Sequence, residues 1–65
     1  MVMTYLITYE LIDTSSYGTL ITEQIKAKDF GHAERKFKQI PKHKDASKNF
    51  ERHDIKKIEL INDND

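Results

Sequence analysis

Apolar and polar side chains alternate along the first dozen residues. Met3, Tyr5, Ile7, Tyr9 and Leu11 fall on one side, and Thr4, Leu6, Thr8 and Glu10 on the other. A two-residue period belongs to a strand with one buried face, and the β-branched and aromatic residues favour the same conformation, so a strand is predicted over 4–12. Asp13-Thr14-Ser15-Ser16-Tyr17-Gly18 gathers side chains that bond nearby backbone amides with a glycine that accepts positive φ, and the chain reverses there. Alternation resumes with Ile21, Ile25 and Ala27 against Leu20, Thr22, Gln24 and Lys26, which predicts a second, antiparallel strand over 19–27. Glu23 interrupts the inner side of that strand. A carboxylate there suits a sheet edge, where it reaches water and blunts the edge against aggregation.

The period then changes from two to between three and four. Phe30, Ala33, Phe37 and Ile40 form one apolar stripe on a helix predicted over 30–40, with Asp29 as its N-cap and Pro41 as its stop. Arg35, Lys38 and Gln39 point away from the stripe. Residues 41–53 hold no sustained period and read as a long loop, in which Asp45 can cap a single helical turn. Either Phe50 pins this loop to the core, or the loop is mobile. Residues 55–61 read as a third strand with Lys56, Ile58 and Leu60 inward and the Lys56 ammonium snorkelling out, followed by a frayed acidic tail over 62–65. The expected fold class is α+β: a ββαβ chain whose three-stranded antiparallel sheet has order 2-1-3, with one helix packed on one face.

Length adds a constraint. Sixty-five residues make one domain, and a chain of this size buries only about 60% of the surface it exposes when unfolded, which argues against a large pocket-bearing enzyme. Without cysteine there is no disulfide framework and no thiolate metal site, and a reducing cytoplasm is the natural setting. No apolar run approaches the roughly 18 residues of a membrane span, and no signal peptide is visible, so no membrane is expected among the partners.

One helix covers one face of a three-stranded sheet, so the other face is left open. The alternation assigns Leu6, Thr8, Ile12, Leu20, Thr22, Ile55 and Ile61 to it, and a one-residue slip would expose Tyr5, Ile7 and Tyr9 instead. Leu6, Thr8, Leu20, Thr22 and Ile61 are the candidate partner-binding face. Charge defines a second surface. All eleven Lys and Arg lie between Lys26 and Lys57 with only five acids among them, giving that window +6 and the two ends −6 inside a chain of net charge zero. Arg35, Lys38, Lys42, Lys44, Lys48 and Arg52 form a candidate basic strip for phosphates or for an acidic protein surface. For unpaired bases it offers few aromatics, Phe50 and Tyr17 at most.

Reactive constellations are missing from the pattern. His32, His43 and His53 show no metal-ligand spacing, so no metal and no cofactor are expected. Ser15, Ser16 and Ser47 lie in loops without a nucleophile elbow, Asp63 and Asp65 sit at a terminus, and Gly18 and Gly31 make no phosphate-cradling loop. The reading is a non-enzyme.

The run Tyr5-Leu6-Ile7-Thr8-Tyr9-Glu10, the turn to Gly18, Ile25-Lys26-Ala27-Lys28-Asp29 and His32-Ala33-Glu34-Arg35-Lys36-Phe37 resemble the ββα start of tiny phage-encoded accessory proteins, host-takeover inhibitors and some anti-CRISPR proteins among them. The resemblance spans roughly residues 4–40, is architectural, and transfers no functional residue. It implies a cytoplasmic protein-binding module that blocks a host or phage macromolecule by steric occlusion. A nucleic-acid accessory protein working through the basic strip is the second expectation. A self-associating homodimer meeting through Leu6, Leu20 and Ile61 is the third.

Overall fold

The computed structural model of the chain describes residues 2–62; Asp63 and Asp65 of the expected tail lie outside the described residues. The elements are β1 (Met3–Ile12), β2 (Gly18–Ala27), α1 (Phe30–Gln39), a short α2 (Pro41–Lys44), a 3-10 turn (Ala46–Asn49) and β3 (Arg52–Asn62). The strands form one antiparallel sheet in the order β2-β1-β3, so the expected α+β fold and strand order are observed.

β1 and β2 pair in unbroken register from Met3–Ala27 to Ile12–Gly18, and odd-numbered residues of both face the helix. The turn between them is held by Asp13, whose Oδ1 accepts from the Ser15 amide (2.9 Å) and hydroxyl (2.6 Å). These bonds, the hydroxyl's first, hold the Asp13 carboxyl below its ordinary range. At the next turn of the chain, Asp29 Oδ1 accepts the His32 amide at 2.7 Å, while His32 Nδ1 reaches back to the Lys28 amide at 3.1 Å. The start of α1 is thus tied down twice, by Asp29 capping a helix amide and by His32 accepting from Lys28, the residue before the cap.

Tyr5, Ile7, Tyr9, Ile25, Ala27, Ala33 and Phe37 form the buried core, with Met3, Leu11, Ile21, Ile40, Ile55 and Ile58 packed around it. Fully burying a large side chain of this kind contributes about 1.5–3 kcal/mol, and Tyr5, Ile7 and Phe37 are the largest so buried. Phe30 stays half exposed, its ring edge on Tyr5 at 4.8 Å between centroids.

Two expectations are corrected. Residues 41–53 are not a loop. The ring of Pro41 forces Ile40 into extended backbone, which ends α1, and the same proline then occupies the first position of α2, where its missing amide costs nothing. The 3-10 turn follows at once, and β3 begins already at Arg52. Phe50 does not pin this segment: it is 76% exposed, in left-handed backbone (φ 58°), and His43 and Ala46 are the residues buried in its place. The second correction concerns β3. Thr8 pairs with Lys57 but Tyr9 with Ile55, so Lys56 is an extra residue at a bulge, and a further shift lies between Thr4 and Tyr5. The bulge lets Ile55 and Ile58, three apart, both join the core. Ile55 therefore leaves the open face to which alternation assigned it. Lys56 is exposed rather than inward, its ammonium 3.4 Å from Glu10, and Leu60 is 46% exposed at the sheet margin.

Candidate functional site

α1, α2 and the 3-10 turn all bury residues against the side of the sheet that carries Tyr5, Ile7 and Tyr9. The reverse side has no helix over it. Its rows follow from the register: Gln24, Leu6 and Glu59, then Thr22, Thr8 and Lys57, then Leu20, Glu10 and Asp54. Leu20 stands 66% exposed and Ile61 47%, Thr22 is exposed, and Leu6 and Thr8 are half-buried between neighbouring strands. The threonine row separates Leu6 from Leu20. The apolar groups are therefore spaced across a flat, mixed surface, with ion pairs Lys56–Glu10 (3.4 Å) and Lys57–Glu59 (3.3 Å) beside them.

The basic strip is largely paired. Lys38 meets Glu34 at 3.0 Å, Lys42 meets Glu23 at 3.4 Å, Lys48 meets Asp45 at 3.7 Å, and Arg52 meets Asp54 at 2.8 Å. Among the described residues, Arg35 and Lys44 alone of the six have no acidic partner within ion-pair distance. Exposed pairs of this kind are individually weak, but each acid cancels the field its base would offer a phosphate.

A third constellation escaped the sequence pattern. Glu23, inward on β2, accepts at Oε1 from Nε2 of His43 of α2 at 2.9 Å. His43 Nδ1 lies 2.6 Å from His53 Nδ1 on β3, and His53 Nε2 lies 3.0 Å from Glu51 Oε1. The chain Glu23, His43, His53, Glu51 thus crosses the inner face from one edge strand to the other, over Tyr9. Both imidazoles are buried, with only 2% and 5% of their side chains exposed. Phe37 stacks on His43 at 3.8 Å, and Tyr9 meets His43 edge-on at 4.8 Å and His53 face-on at 5.5 Å. Burial pushes the His43 imidazole below its ordinary value, with Glu23 pulling the other way and the charges of His53 and Lys42 adding to the fall. No buried polar side-chain atom among the described residues lacks a partner.

The sequence did carry one signal for this chain. An inward carboxylate is expensive to bury unless something bonds it, so Glu23 called for a partner from elsewhere in the chain. Escape to water at an edge was the simplest solution. In the fold, Glu23 is on an edge strand yet turns to His43 and Lys42. Beside His53, an open groove of 410 Å³ runs between α1 and β3, bordered by Glu34, Phe37, Lys38, Asp54, Ile55 and Lys56. Among the described residues no three His, Cys, Asp or Glu side chains converge on a single point suited to a metal ion, and no helix is long and apolar enough to cross a membrane.

No family model, curated protein or solved structure matches this chain. Its function is therefore argued from these surfaces alone.

Proposed function

We propose that the chain is a small non-enzymatic protein-binding module that docks a host or phage protein on the uncovered face of its sheet and acts, as an inhibitor or modulator, by steric occlusion. The observation that supports this reading is the face itself: a surface that no helix of the described residues covers, with Leu20 two-thirds exposed, Thr22, Thr8 and Leu6 in the rows beyond it, and Ile61 47% exposed at the bulge beside Thr4. A standard interface takes about 800 Å² from each partner, roughly one-sixth of the 4649 Å² surface of this protein. A docked partner would be a large body on a small one, which is what occlusion needs. The alternative, a phosphate-binding strip, is less well supported because four of its six bases already face acids.

The test compares the parent chain with Leu20→Glu and with the pair Arg35→Glu and Lys44→Glu, each used as bait in cell extract, together with sedimentation of each variant alone. The expected result is a protein retained by the parent and by the basic-strip variant in moderate salt, and lost by Leu20→Glu. Loss on the basic-strip variant, with capture of nucleic acid that fades steeply with salt, would move the function to the strip. A parent dimer that Leu20→Glu converts to monomer would assign the face to self-association.

A further inference from the structure

The proton count along the buried chain has one good solution. For each carboxylate to accept a hydrogen bond, His43 and His53 must both carry a proton on Nε2. The two Nδ1 atoms then face each other at 2.6 Å. With no proton between them, two lone pairs collide; with two protons, two N–H groups collide; with one, the contact is a short charge-assisted hydrogen bond. We propose that His43 and His53 share a single proton between their Nδ1 atoms, and that this proton is a latch holding the α2 and 3-10 segment on the sheet, released when a second proton arrives in acid or the shared one leaves in alkali.

Charge supports the count. Two carboxylates, one shared imidazolium and the Lys42 ammonium, 3.4 Å from Glu23, sum to zero, whereas removal of the shared proton leaves an excess of one negative charge. Burial disfavours a charge on His43, and on the other side of the contact the Glu51 carboxylate at 3.0 Å and the face of Tyr9 at 5.5 Å offer it partners. The other charged groups that face the pair are Glu34 and Lys38 of α1 and Asp54 and Lys56 of β3, across the groove beside His53. Glu34 and Lys38 form an ion pair with each other and add little net field. A metal ion does not fit the same gap: bonds of about 2.0–2.1 Å to two nitrogens hold them more than 3 Å apart in a tetrahedral site.

The latch matters because of where it sits. Apart from Ala46, His43 is the one buried residue of the segment from Pro41 to Asn49, so the histidine contact is its main attachment to the sheet. Opening would carry Lys42 away from Glu23 of β2, while Lys48 keeps Asp45, which moves with the segment. The inference stands independently of the sheet-face reading.

The test is long-range proton–nitrogen NMR of the three histidines from pH 4 to 9, with amide exchange of His43, Lys44, Asp45, Lys48 and Glu51 followed across the same series. The expected spectrum at neutral pH has His43 and His53 both protonated on Nε2, one strongly deshielded proton shared between their Nδ1 atoms, and amide protection that falls at both extremes. Glu51→Gln, at a half-exposed position that leaves the core untouched, should move the alkaline loss of protection down by about one pH unit or more by removing the charge that holds the imidazolium. Two neutral imidazoles titrating independently, or protection indifferent to pH and to Glu51→Gln, would overturn the latch.

Discussion

At the Tyr5 end of the inner face, α1 sets Phe30 and Ala33 over Tyr5, Ile25 and Ala27, and the contact is almost entirely between carbon atoms. Four residues along β1, at Tyr9, the same sheet is closed by α2 through two imidazoles and two carboxylates. Both ends exclude water, but they do so by different physics. The apolar end is stabilised by area removed from water, which no change of pH near neutrality alters. The polar end is stabilised only while every donor meets an acceptor, so it depends on proton number. A chain with so little carbon to bury has closed one end of its sheet with hydrogen bonds, and made that end responsive to solution conditions.

Phe37 belongs to both ends: it lies in the buried cluster with Tyr5, Ile25, Ala27 and Ala33, and its ring is 5.1 Å from Tyr9 and 3.8 Å from His43 between centroids. Phe37→Ala therefore has the largest expected effect, a loss of about 3–5 kcal/mol, comparable to the entire stability of a domain this small. Circular dichroism should show a largely unfolded chain. A cooperative melt near that of the parent would mean that the two ends do not share this ring.

His43→Ala separates the ends. It removes the His43 bond from Glu23, which keeps Lys42, and from His53, which keeps Glu51, at the cost of about 1–3 kcal/mol, measured by urea titration, while the Tyr5 end stays folded. The same variant tests the pH dependence. Since His43 in the folded chain resists protonation relative to its ordinary value of 6.5, the unfolded chain binds the extra proton first, and the parent loses stability as pH falls below about 6.5. Urea midpoints of the parent should decline through that window, and those of His43→Ala should decline less. Equal slopes would place the acid sensitivity elsewhere.

The smallest effect tests the exposed side of the latch segment. Phe50 holds left-handed backbone with its ring in solvent, a conformation that costs a non-glycine residue about 1–2 kcal/mol. Phe50→Gly should raise stability by about 1 kcal/mol or less, since glycine gives back part of that gain as unfolded-state entropy. A loss on this substitution would show that the ring contacts the segment in solution.

Much of this fold is legible along the chain because its signals are local. The alternation of β1, the Asp13–Gly18 turn, the Asp29 cap and the Phe30 to Ile40 stripe each occupy a few neighbouring residues, and each is found where the pattern places it. β3 was less legible because a bulge breaks the two-residue period on which such a reading depends. Ile55 and Ile58 contradict alternation until Lys56 is removed from the count. The segment after Pro41 carries no period at all, and its anchor is a polar residue. Phe50, the obvious apolar candidate, points outward.

By itself, then, the sequence determined the three strands and the main helix, the order in which they assemble, and most members of the face left open, because side-chain periodicity and capping act between residues close along the chain. Only the tertiary structure decided that Glu23, His43, His53 and Glu51, up to 30 positions apart, meet in one hydrogen-bonded line. Their bonds are specified by distance and direction in space. No spacing along a chain encodes that until the sheet has brought its two edges under the same helix.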